Sequence, residues 1–125
     1  MNFTPVVSPG RLLVRSYGAG GFNINDHRVV GSVMLFPSHV ETWEVHSVAD
    51  LPSAEFLQVI EERPQIEVLL VGTGHSSAVL DTVSRENLRA AGICVDVMPT
   101  GAACRTYNVL VGEDRRVAAA LIALG

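Results

Sequence analysis

Two short apolar runs, Ile66–Val71 and Ile93–Val97, constrain this chain more than any other feature. Each has the length of a buried strand, and each is followed by a turn or helix start: Gly72-Thr73-Gly74-His75 after the first, and Thr100-Gly101-Ala102-Ala103-Cys104-Arg105-Thr106-Tyr107-Asn108 just beyond the second. The polar-apolar segment between the runs has room for one helix, and a strand–helix–strand unit takes about 30 residues. Parallel strands joined by such a crossover share a carboxyl edge. Both motifs are therefore expected at one edge of one sheet, where open α/β sheets bind their ligands.

The rest of the chain reads as hairpin material first and α/β material second. Leu12–Tyr17 predicts a strand, Gly18–Gly21 a flexible loop, Arg28–Phe36 a second strand ending at Pro37, and Val40–Val45, holding Trp43, a third. Over Ser53–Glu62, Phe56, Leu57 and Ile60 share one helical face while Glu55, Gln58, Glu61 and Glu62 share the other, and Pro64 ends the run. A second helix is expected at Ser84–Ala91, with Ser84 as N-cap, Leu88 and Ala91 inward and Gly92 as the left-handed stop. Ala103, Tyr107 and Leu110 predict a third helix over Ala102–Leu110 that Thr100 caps. Val117–Leu124 is read as a last buried strand, although its alanines also suit a helix.

Composition excludes several classes. The chain of 125 residues is expected to form one domain over 1–125, and 48% hydrophobic residues with a mean hydropathy of +0.31 provide a full core or an apolar patch for a partner. A net charge of −4 and a pI near 5.4 argue against nucleic acid, which needs clustered positive charge. All nine basic residues are arginine, so neither a Schiff-base lysine nor a phosphate-loop lysine exists. No stretch has the ~20 apolar residues of a membrane span, and the N-terminus carries neither a secretory signal nor a mitochondrial presequence, which predicts a cytoplasmic, bacterial protein. Cys94 and Cys104 are not in a CxxC arrangement and are expected as thiols. His27, His39, His46 and His75 lack the spacing of a zinc helix, so no metal and no cofactor is expected.

The strings GFNIND, GSVMLFPS before Trp43, LLVGTG and GICVDVMPTGAACRTYNVLVGEDRRVAAALI resemble a small family of unknown biochemical activity that includes mitochondrial complex I assembly factor three and an adipogenesis-associated protein. The likeness spans nearly the whole chain and is most specific over Thr100–Asn108. It implies an α/β (mixed α+β) domain in which about three short helices pack on a curved mixed β-sheet, and a role in protein assembly. It implies no catalytic residue, cofactor or substrate.

Each motif has a chemical reading and a plainer one. Gly72-Thr73-Gly74 begins a dinucleotide fingerprint, but Ser77 stands where the third glycine belongs, and too little chain follows Val97 for a second mononucleotide half. A small anion could use the turn's amides, a following helix start and the hydroxyls of Thr73, Ser76 and Ser77; the plainer reading is a tight strand-to-helix turn. Cys104, near a helix N-terminus and beside Arg105, has the setting of a lowered thiol pKa, whereas Cys94 in an apolar strand is expected to be inert. A nucleophile would need His75 within reach of Cys104, with Asn108 or Asp96 as orienter; otherwise Cys104 is a small buried residue. Thr106, Tyr107 and Asn108 either line a pocket or satisfy loop backbone. Trp43 reads as core, and Arg115-Arg116 after Glu113-Asp114 as a solvated turn.

Two classes of function follow. The first is a non-catalytic protein-interaction or assembly module, related by resemblance to respiratory complex I, with a protein partner. The second is a small-anion-binding or Cys-dependent enzyme using Cys104, His75 and Asn108, with ligand contacts from Gly72, Thr73, Gly74, Thr100, Arg105 and Thr106. The shape of the sheet edge separates them: a concave pocket with converging side chains favours the enzyme, and a flat or apolar surface favours the module.

Overall fold

The computed structural model describes residues 10–53 and 55–125. Its centre is β8 (Val117–Leu121), flanked by β4 (Val33–Leu35) running antiparallel and β6 (Val68–Gly72) running parallel. β5 (Val40–Thr42) and β7 (Cys94–Met98) form the edges of this open sheet, in the order β5-β4-β8-β6-β7. The alanine-rich run is thus a strand. Five residues fully buried at the sheet centre need small side chains on both faces, and this overrides alanine's preference for helix.

Strict alternation assigns side chains to the two faces. Leu69, Val71, Ala118, Ala120, Met34 and Phe36 enter one apolar cluster, while Leu70, Ala119, Leu121, Val33 and Leu35 enter the other. The first face is covered by α1 (Leu57–Glu61), preceded by a 3-10 turn over Val48–Ser53, and by α2 (Thr82–Ala90). The second is covered by α3 (Thr100–Gly112) and by a separate antiparallel sheet of β1 (Val14–Gly18), β2 (Gly21–Ile24) and β3 (His27–Val30).

The crossover and its shared edge are as expected: β6, α2 and β7 follow in order, the two strands are parallel, and Gly72 pairs with Met98 at their carboxyl ends. The N-terminal half departs from the expected strands. Gly18–Gly21 is a two-residue hairpin turn rather than a flexible loop; Ala19 and Gly20 have φ of 51° and 82°, the left-handed pair that matches strand twist. It leads into β2, whose buried Phe22 and Ile24 alternate with half-buried or turn residues. The single expected strand Arg28–Phe36 is two, because Gly31 (φ 89°) breaks it and passes the chain from one sheet to the other.

The helices shift from their expected limits for local reasons. α2 is capped by Asp81, whose carboxylate accepts from the Ser84 N–H at 3.0 Å, so Ser84 is the third helical residue and not the cap. α1 is shorter than expected and turns Val59 and Phe56 into the core, which leaves Leu57 50% exposed instead of buried. Trp43 is core as read, 6.0 Å from the Phe56 ring.

Candidate functional site

The two motifs meet at the carboxyl edge of the sheet, and the chemistry that joins them is internal hydrogen bonding. Thr100 is fully buried at the start of α3. Its hydroxyl donates to the Ile122 carbonyl at 2.7 Å and accepts from the Gly74 N–H at 2.8 Å, and its own N–H donates to the Gly74 carbonyl at 2.9 Å. It therefore stitches the β6 turn, α3 and the end of β8 together and does not cap its helix; Pro99 occupies the cap position with no side-chain bond. Thr73 behaves alike, with its N–H donating to Met98 carbonyl at 3.0 Å and its hydroxyl to Ser76 carbonyl at 2.7 Å. Gly72 is required by proximity: a Cβ there would lie 2.9 Å from Thr100 Cα.

This edge differs from a phosphate-binding turn in two respects. The amides of Thr73 and Gly74 already have acceptors inside the protein. The next helix begins at Thr82, two residues before the expected Ser84, and an irregular segment separates it from the glycine turn, so its dipole does not reach that turn.

The side chains of α3 point at three different targets. Asn108 pairs with the backbone of Val14, accepting from its N–H at 2.9 Å and donating to its carbonyl at 2.8 Å, as a neighbouring strand would. The pairing of β1 with β2 is irregular between Val14 and Ser16, where Asn108 makes these bonds. Tyr107 is fully buried and donates to the Leu12 carbonyl at 3.1 Å, and burial pushes its phenol pKa up against the opposing charge of Arg11. Arg105 is exposed and donates to the Tyr17 hydroxyl at 3.0 Å, and Tyr17 lies over Gly101, where an added Cβ would displace the tyrosine's hydroxyl end. Thr106 is half-buried on the same helix, and His75 is exposed in the turn.

The cysteines are reversed from expectation. Cys104 is 2% exposed in the α3 core cluster, and burial pushes its thiol up to about 12 despite the lowering effect of Arg105. Cys94 is exposed, because β7 is an edge strand whose Val95 and Val97 pack toward α2 while Cys94 and Asp96 face outward. Residue alternation carried that signal: in Cys94-Val95-Asp96-Val97, the cysteine shares its side with an aspartate.

The larger concavities lie elsewhere. A cavity of about 590 Å³ separates α1 from α2, with Phe56 and Leu88 at its buried floor and Ile60, Leu57 and Val83 along its walls. A second, of about 540 Å³, is lined by Trp43, Glu44, His46, Asp50 and Gln58, and Glu55 borders both. Leu57 and Val83 are 50% and 69% exposed. Sequence reading set Leu57 on the apolar face of its helix and did not single out Val83; the available signal was Val83 lying off the Leu88–Ala91 face of its helix.

These features define a small mixed α/β domain whose polar sheet edge is closed on itself and whose α1–α2 face carries an open apolar furrow. The chain belongs to the family described as protein of unknown function (DUF498/DUF598), whose model matches residues 14–122. Among its relatives is the NADH dehydrogenase [ubiquinone] 1 alpha subcomplex assembly factor 3 of Rattus norvegicus, 37% identical over 114 residues that cover 91% of this chain. The chain spans 62% of that relative's length. An uncharacterised protein of Rhodobacter capsulatus is 34% identical over 116 residues, covering 90% of this chain and 86% of its own. A crystal structure from Bartonella henselae, described as an outer membrane protein, superposes with a TM-score of 0.81 at 40% identity, covering 94% of this chain and 98% of the other. Among the described residues, no helix is long and apolar enough to cross a membrane.

Proposed function

We propose that this protein is a non-catalytic interaction module that works in the assembly of other proteins, and that its partners lie in the cytosol and belong to a respiratory complex of the complex I type. The observation that carries this reading is the direction of the α3 side chains. Tyr107 is bonded to the backbone before β1 and Asn108 to that of β1, Cys104 is sealed in the core and His75 lies in an exposed turn, so among the described residues Cys104, His75 and Asn108 do not converge on a cavity. The assembly-factor name of the rat relative supports the role. A domain whose hydrogen-bonding side chains hold its own elements in place, and whose α1–α2 face leaves Leu57 and Val83 exposed beside a cavity, is suited to binding and not to turnover.

The test is affinity capture of the tagged chain from its own host, together with a panel of ester, thioester and amide substrates assayed on the parent, Cys104→Ala, His75→Ala and Asn108→Ala. The expected outcome is recovery of complex I subunits and no turnover sensitive to these residues. Turnover well above background that a folded variant abolishes would overturn the reading.

A further inference from the structure

We propose that the furrow beside α1 takes a basic amphipathic helix of a partner protein, with the aliphatic side chains of that helix between α1 and α2 and its basic side chains toward Glu44, Asp50 and Glu55. The proposal rests on the interaction-module reading and gives it a surface and a partner chemistry.

The two cavities described above meet at Glu55 but differ in character. The α1–α2 cavity is walled by Leu57, Ile60 and Val83, and among the described residues Glu55 is the only charged one that lines it. The neighbouring cavity holds three carboxylates, Glu44, Asp50 and Glu55, beside His46. None of the chain's nine arginines lines either cavity, although the chain has no other strong base to place there. One surface thus presents an apolar half and an acidic half that meet at Glu55. Exposed apolar side chains above a floor as deep as Phe56 and Leu88 have the form of a helix-in-groove site, in which anchors at i, i+3 or i+4, and i+7 enter between two walls. The carboxylates select the charge of what enters and speed its encounter. A second copy of this chain is a poorer occupant, since it carries the same acidic surface and a net charge of −4.

The probe is a synthetic peptide of roughly four helical turns, leucine along one face and lysine clustered at one end, set against a twin with glutamate in place of lysine. Binding is read by NMR amide shifts in the whole chain. The lysine peptide is expected to shift Leu57, Ile60, Val83 and Asn87, and to bind about tenfold more tightly than its glutamate twin. Val83→Asp is expected to remove binding, and Glu44→Lys with Glu55→Lys to invert the charge preference; these positions are exposed, so the variants should keep the parent spectrum elsewhere. Equal binding of the two peptides, or shifts confined to other elements, overturns the proposal. So does sedimentation of the chain as a dimer that Val83→Asp disperses, which would make the furrow a self-interface. A partner captured from the host that Val83→Asp and Glu55→Lys retain would keep the module reading while overturning this surface.

Discussion

On one face of the central sheet, α3 and the β1–β3 sheet press on Leu70, Ala119 and Leu121, and Thr100, Tyr107 and Asn108 each bind backbone from a segment distant in sequence. On the other, α1 and α2 cover larger residues such as Phe36, Trp43 and Leu69 yet leave Leu57 and Val83 in solvent beside a cavity of about 590 Å³. The contrast follows from the lengths of the covering helices. α3 has thirteen residues and spans its face over Leu70, Ala119 and Leu121, whereas α1 has five and cannot fill its half of the other face. Polar groups on the closed face act as fasteners, and the conspicuous motif residues are there. The open face is where a partner can still gain buried area.

If α3 is the fastener, truncating its largest fully buried side chain has the largest effect. Tyr107→Ala is expected to cost about 3–5 kcal/mol in urea-induced unfolding, from lost packing and the lost bond to Leu12. A loss near that of an ordinary surface change would break the comparison. Thr100→Val keeps the shape but leaves the Gly74 N–H and the Ile122 carbonyl without their partner, and about 1–3 kcal/mol of stability should go with it.

Cys104→Ala removes a small buried side chain and should cost about 1 kcal/mol. In the native state Cys94 should be alkylated by iodoacetamide well before Cys104, and the Cys104 rate should stay low up to high pH, because burial holds its thiol near 12. Faster labelling of Cys104 would show that the α3 face opens.

On the open face, Val83→Ser should change stability by no more than about 0.5 kcal/mol, the mark of a residue with little packing to lose. The smallest effect concerns Glu67. The Arg116 backbone N–H, at 3.2 Å, and the Arg116 and Arg115 charges hold its carboxyl below the usual value. A depressed folded-state pKa adds stability above the unfolded value and loses it as pH falls through the folded one, so Glu67→Gln should slightly flatten the acid limb of a stability–pH curve. Salt should mask the difference, since the carboxylate is solvent-facing.

Local patterning made the crossover legible. Ile66–Val71, Leu88 with Gly92, and Ile93–Val97 carry period and punctuation within a few residues of each other, so the parallel pair and its shared edge could be read directly. The same held for Trp43 and for the buried C-terminal strand. The family resemblance rested on such contiguous strings as well, and the family match bears it out.

What lay beyond the sequence depends on partners far along the chain. Asn108 reads as a site residue until it is seen beside Val14, 94 positions away, doing the work of a missing strand bond. Alternation set Cys94 on the side of Asp96, but the burial of Cys104 was decided by packing, with α3 sitting over β6 and β8. The break of Arg28–Phe36 at Gly31 needed two sheets to exist before one glycine could pass between them. From the crossover onward, sequence determined which segments would be strands and helices, because those choices are set by neighbours within a turn or a pleat. The tertiary structure alone decided which polar groups face inward and which apolar ones remain exposed, because burial is a property of what packs on top.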